Sequence, residues 1–381
     1  MLKLKVIKNK PLRLKVDIEF PKIVPGNFQE KTVIPIKEQI VVEADTSYDA
    51  LKKVIVEPIP EEYIKPEGTL EISSNGTYDV KNYESVKTEV YEAVPYKPKY
   101  ISFNKCNIND LTNELNNLDT SDITNMESMF QQATRLTSLD LSKFNTSKVT
   151  RMTSMFSNCS SLTSLNIDNF DTSSVTDMSN MFYYCSKLTE LDISHFNLSK
   201  TTNVAQMFGN CTKLASLNIS NLDFSNCESA SYTFQNCESL TSLDLSTFDT
   251  SKVTDLQYLF SGCKSLTTLD VSKFNTSLVT TMSYMFYNCT NLTELDISNF
   301  DGTKLSSNNY MFRGCSNLKK LIINNPNIFP LKSSNVFYQS AISTGTGYVY
   351  VPDNLVDTYK SATNWSAFAN QIKGISELVE V

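Results

Sequence analysis

Apolar residues recur along this chain with a period of 26. Phe130, Phe156, Phe182, Phe208, Phe234, Phe260, Phe286 and Phe312 are evenly spaced, and Phe337 follows after 25. Each unit carries two patterns. Leu136, Leu139 and Leu141 have the L-x-x-L-x-L spacing of a short strand, and Phe144 tucks under the turn that follows. Phe170, Phe196, Phe248, Phe274 and Phe300 repeat that turn position. Then Met152, Met155, Phe156 and Cys159 fall within an arc of about 100° at about 100° per residue, which predicts the inner stripe of a short helix. Thr150, like Thr176 and Thr254, stands where an N-cap hydroxyl is useful. A fixed period of this length predicts stacked coils, each burying its apolar side only against its neighbours. At about 4.8 Å per rung, eight or nine coils make a rod of roughly 40 Å.

The flanks lack the period. Residues 1–26 alternate Leu and Val with Lys and Arg on both sides of a turn at Lys8–Pro11, which predicts a β-hairpin. Residues 27–62 and 63–98 read as two small β modules, the second with an Asn75-Gly76 hairpin turn between Thr69–Ile72 and Thr77–Val80. Units this small need docking or oligomerisation for stability. The solenoid spans 99–340. A capping module at 341–381 has a strand at Tyr348–Val351 and helical turns over Asp353–Ala362 and Trp365–Ile372, covering the last coil's apolar edge.

Composition narrows the classes. The 381 residues carry 34 basic against 41 acidic side chains, a net charge of -7 that disfavours nucleic acid as a partner. No apolar run is long enough for a membrane span, and the interrupted N-terminal pattern does not read as a secretory signal. Seven of the nine cysteines, from Cys159 to Cys315, take one place per coil, with Ala133 filling it in the first. A ladder of buried, reduced thiols is the simplest reading, since metal ligands cluster at much shorter spacing. Cys106 and Cys227 lie outside that ladder.

The S-x-M-F-x-x-C and L-T-x-L-D-I-S-x-F runs over about 118–325 resemble the BspA-like leucine-rich repeats of bacterial surface proteins. The tail from Tyr348 to Trp365 resembles the C-terminal module that often follows such repeats. Glu30-Lys-Thr-Val-Ile-Pro, Tyr48-Asp-Ala-Leu-Lys-Lys-Val-Ile-Val and Asn75-Gly-Thr-Tyr-Asp-Val resemble short modules of phage and prophage structural proteins. The fold class expected is thus an α/β leucine-rich-repeat solenoid preceded by small all-β modules. The second resemblance implies a virion component assembled in a bacterial cytoplasm. Residues 1–95 would then bind other virion proteins, the solenoid would face a host glycan or protein, and the chain would form a homo-oligomer. The alternative is a BspA-like adhesin on the bacterial cell surface.

Candidate chemistry is sparse. The sole histidine, His195, occupies the variable turn position of Lys143, Asn169 and Asn299 and reads as surface variation. With that one histidine at a variable turn position, Ser-His or Cys-His nucleophilic chemistry has almost nowhere to sit. Asp140, Asn166, Asp192, Asn218, Asp244, Asp270 and Asp296 form a column on the strands. Ser and Thr neighbours can solvate it; the sharper reading is weak cation binding along Asp244, Asp270 and Asp296. Tyr232, Tyr258, Tyr284 and Tyr310 form a second column, about 200° from the inner stripe on a helical wheel. They either shield one another or offer a contact strip for glycan or protein. No cofactor motif occurs, and a non-enzymatic, adhesive fibre, spike or decoration subunit is the expected role.

Overall fold

The computed structural model describes the backbone of residues 2–5 and 15–18, residues 102–105, 111 and 115, and residues 118–378. The modules expected at 27–62 and 63–98, and Cys106, lie outside those residues. Strand β1 (Leu2–Lys5) pairs antiparallel with β2 (Lys15–Ile18), placing Leu2 opposite Ile18 and Leu4 opposite Val16.

From residue 118 the chain winds as a parallel β-solenoid. Each coil contributes at most a three-residue strand, because only its central leucine faces inward before the chain must turn. These are β3 (Ser138–Asp140), β4 (Ser164–Asn166), β5 (Glu190–Asp192), β6 (Ser216–Asn218), β7 (Glu294–Asp296) and β8 (Lys320–Ile322). Pairing is parallel and in register with the sequence period, so Leu139 lies beside Leu165 and Leu191 beside Leu217. Identical residues therefore stack on identical residues, and every inward position becomes a column. The solenoid with its 26-residue period is as the spacing predicts.

The second half of the coil departs from the predicted helix. Ser154 and Asn158 adopt left-handed backbone with φ of 57° and 61°, which no α-helix accommodates. The amides point to the next coil instead: Ser154 N–H donates to Ser179 O at 2.9 Å, Phe156 to Met181 at 2.8 Å and Asn158 to Tyr183 at 2.7 Å. Met152, Met155, Phe156 and Cys159 do all face inward, but from consecutive turns. Thr150 and Thr176 cap no helix. Their hydroxyls and amides donate back to Thr124 O and Thr150 O of the preceding coil.

The core is a set of such columns. Phe103, Phe130, Phe156, Phe182, Phe208, Phe234, Phe260, Phe286, Phe312 and Phe337 stack with centroids 5.4–5.8 Å apart and planes within 15° of one another. Burying each such ring is worth about 1.5–3 kcal/mol, before the added gain of offset stacking. The cysteine column lies beside it, all eight described cysteines being free. Cys185 Sγ donates to Phe156 O at 3.2 Å and Cys211 Sγ to Phe182 O at 3.0 Å, and the pattern holds along the ladder. The thiol thus caps a backbone carbonyl of the coil before it. Cys227 takes the slot of Val175 and Val253, is buried, and donates to Ser229 O at 3.3 Å.

A buried threonine clamps most coils to the next. Thr250 Oγ1 donates to Asn275 O at 2.9 Å and accepts from Asn275 N–H at 2.8 Å; Thr146 and Thr172 do the same for Asp171 and Asn197. Leu198 and Phe224 replace that threonine in the middle of the solenoid. There the single-residue bridges, which run from Asn125 to Ser229, stop and resume from Asp255 to Ser307.

The last coil is closed by β9 (Tyr348–Val351), which pairs parallel with β8 and with β10 (Ile372–Gly374). Helix α1 (Val356–Ser361) and short 3-10 turns fill the corner. Trp365 and Phe368 pack on Phe337, and Trp365 Nε1 donates to Phe329 O at 2.8 Å, so the aromatic column ends under a lid with its polar atom satisfied. Among the described residues no helix is long and apolar enough to cross a membrane.

Candidate functional site

Each coil passes through the left-handed region twice, and the first passage carries the tyrosines. Ser128, Ser154, Asn180 and Gln206 hold it in the first coils; Tyr232, Tyr258, Tyr284 and Tyr310 follow, with φ of 61°, 57°, 60° and 55°. Glycine or asparagine suits this backbone best, and a bulky residue there costs on the order of 1–2 kcal/mol. The rings recover part of it by stacking. Tyr232 and Tyr258 lie 4.6 Å apart, Tyr258 and Tyr284 4.4 Å, and Tyr284 and Tyr310 5.2 Å. All four are half-buried; Tyr232, Tyr258 and Tyr284 meet face to face, and Tyr310 is tilted 34° against Tyr284. Burial, then the neighbouring phenols, push the Tyr258 hydroxyl up to about 12, and burial and Asp255 raise Tyr232. These hydroxyls stay protonated and can donate.

A second group adjoins this column and is not singled out by the column count. Tyr287, Arg313 and Tyr338 each follow a ladder phenylalanine directly, on three consecutive coils. The Arg313 guanidinium lies 5.5 Å from the Tyr287 ring centre, 5.1 Å from Tyr338 and 5.2 Å from Tyr310. Tyr284 meets Tyr287 edge-on, which joins the two columns. Tyr338 is 51% exposed. The signal was a 26-residue count at the position after each phenylalanine, but Tyr338 falls one residue short of it.

The aspartate column lies on the strand face and is spent on local turns. Asp140, Asp192, Asp244, Asp270 and Asp296 each accept the amide of a serine two residues on, at 2.8–3.0 Å. Hydrogen bonds from those serines hold Asp140, Asp192, Asp244 and Asp270 below the ordinary carboxylate range. In the first half asparagine alternates with aspartate, and Asn218 donates to Asp192 Oδ2 at 3.0 Å. An open depression beside Asp270, Glu294 and Asp296 is otherwise lined by Leu, Val, Thr, Ser and Asn. Among the described residues no three His, Cys, Asp or Glu converge as metal ligands. His195 is more than surface variation: Nε2 sits 3.1 Å from Ile167 O of the preceding coil, as Asn169 donates to Ser142 O at 2.7 Å and Asn299 to Val271 O at 3.0 Å.

The described surface thus joins a column of contacting phenols to one guanidinium framed by rings. Comparisons with known proteins bear on which kind of chain carries it. Among curated proteins none matches. Among solved structures, the chain in a crystal structure of a TLR13-ssRNA13 complex is 20% identical with a TM-score of 0.31, over 61% of this chain and 31% of that one. A leucine rich cell surface protein from Faecalibacterium prausnitzii A2-165 is 17% identical with a TM-score of 0.28, over 67% of this chain and 77% of that one. This chain thus spans under a third of the first of them. A family model described as "Mycoplasma protein of unknown function, DUF285" matches residues 100–222 and again 203–325. Those two matches run through most of the 26-residue repeat and together take in more than half of the sequence, so the chain belongs to that family.

Proposed function

We propose that this protein is an adhesive, non-enzymatic module of a bacterial cell surface, whose solenoid presents the tyrosine strip to a glycan or protein on another surface. The observation that carries the reading is four consecutive tyrosines at left-handed positions, where Ser, Asn and Gln serve the first four coils. Shape alone asks only for a small or polar residue there. A run of aromatics adds apolar contact area and hydroxyl donors on one side, as recognition surfaces do. Binding rather than turnover is favoured because the acidic column is one-dimensional, and each aspartate already serves its own serine turn.

Cell-surface display is preferred to a virion role. The repeats from about 118 to 325 carry the resemblance to surface proteins. The virion reading depends on residues 1–98, of which the structure describes only the backbone of one strand pair.

The test uses the full chain. Wild-type protein and the variant carrying Tyr232→Ser, Tyr258→Ser, Tyr284→Ser and Tyr310→Ser are applied to glycan arrays and to cell-surface protein extracts. Serine occupies this position natively at Ser128 and Ser154, so the variant should fold. Loss of the wild-type signals is the expected result. Retention of all of them would remove the tyrosine strip as the binding face.

A further inference from the structure

We infer that Arg313, held among Tyr287, Tyr310 and Tyr338, is an anion subsite at the distal end of the strip, and that its ligand is a carboxylate-bearing saccharide. The inference rests on the strip being a binding face and names what that face takes.

The guanidinium has rings on three sides at 5.1–5.5 Å, and no carboxylate among the described residues pairs with it. Cation–π contact holds the group in place but uses none of its N–H donors. A fork of free donors matches a planar carboxylate with two parallel hydrogen bonds.

Local charge points the same way. The chain is acidic overall, yet residues 302–352 contain no Asp or Glu and hold Lys304, Arg313, Lys319, Lys320 and Lys332. Lys320 is engaged with Glu294, 3.6 Å away. Lys304, Arg313, Lys319 and Lys332 have no ion-pair partner among the described residues, so this stretch carries unpaired positive charge that favours an anion.

The number of charges selects the ligand class. A nucleic acid brings a phosphate at each residue and needs a row of cations along its path. Among the described residues Arg313 is the only arginine framed by rings, and the column leading to it is neutral phenol. A saccharide with one carboxylate fits that division: the acid on Arg313, neutral hydroxyls and C–H edges along Tyr310, Tyr284 and Tyr258.

The full chain is titrated with a panel of uronic- and sialic-acid oligosaccharides, each beside its own methyl ester, and with hexaglutamate. At least one acid should bind about tenfold more tightly than its ester, a preference that weakens as salt is raised. Arg313→Gln should bring acid and ester level without losing the ester. Glutamine is native at this coil position in Gln131 and Gln235, so folding is protected. Arg313→Lys keeps the charge without the fork and should retain only part of the preference. Equal binding of acid and ester by the wild type, no binding of either, a preference that survives Arg313→Gln, or binding of hexaglutamate alone would each overturn the inference. If esters still bind and the four-serine variant loses them, the strip stands and only the anion subsite falls. If the four-serine variant binds like wild type, the strip itself falls.

Discussion

A buried threonine hydroxyl that both donates and accepts is the smallest unit of cohesion between coils. Thr250 satisfies the amide and the carbonyl of Asn275 at once. Thr250→Val keeps the shape and leaves both groups without a partner, which together costs about 2–6 kcal/mol at worst. Urea unfolding should show a drop in that range, and an unchanged midpoint would mean water replaces the hydroxyl. The thiols make a pH-dependent contribution. Burial pushes Cys211 and Cys315 up to about 12, whereas an unfolded thiol ionises near about 8.5. The folded pKa is the raised one, so the stabilisation is complete below the unfolded value and is lost as pH climbs toward the folded value. Over that window each thiol should cost about 1.4 kcal/mol per pH unit. Stability of the Cys211→Ala chain should fall less steeply between pH 9 and pH 12 than that of wild type, Ala133 being a native occupant of this slot. Identical slopes would show that other groups govern the alkaline limb.

At the scale of the element, the phenylalanine column is the spine. Phe208 is buried between Phe182 and Phe234, so Phe208→Ala removes two stacks and leaves a ring-sized void. A loss of about 3–5 kcal/mol is expected by denaturant titration, with Phe103→Ala, at the end of the column, costing less. Much of this element is legible in the sequence, since parallel in-register stacking turns every inward position into a literal repeat. The turn half is less so. Met152, Met155, Phe156 and Cys159 at i, i+3, i+4 and i+7 are what a helix requires, and one coil alone cannot distinguish it from two tight turns. The distinguishing mark lies between them. Gln132, Asn158, Asn210, Asn236, Gly262, Asn288 and Gly314 recur at one left-handed position, broken only by Tyr184 among the described coils from 132 to 314, and a mostly polar or glycine column there is turn chemistry. The tyrosine column is likewise legible as a repeat. The arginine frame is not, because it needs the register of three coils, one of them shortened.

At the scale of the whole molecule, cohesion is uneven, and the unevenness predicts how the solenoid opens. Through the middle coils, Leu198 and Phe224 remove the threonine clamp, and the bridge ladder that ends at Ser229 restarts at Asp255. The turn half stays joined across that junction: Phe234 N–H donates to Leu259 O at 3.0 Å, Phe234 stacks on Phe260 at 5.6 Å, and Tyr232 stacks on Tyr258. In a quasi-one-dimensional array stability is a sum over neighbour interfaces, so the interface with fewest cross-coil bonds opens first. Native-state hydrogen exchange should therefore find the amides of Ala230 and Thr254 less protected than those of Val204 and Thr280, whose bonds to Ser229 O and Thr254 O are in place. The four-serine variant adds a discriminating arm. Removing Tyr232 and Tyr258 takes away the stack spanning the junction, so protection should drop further there and stay level around Thr150 and Thr176. Uniform protection along the column, or a drop spread evenly over all coils, would show one cooperative block and leave the tyrosines with recognition as their task.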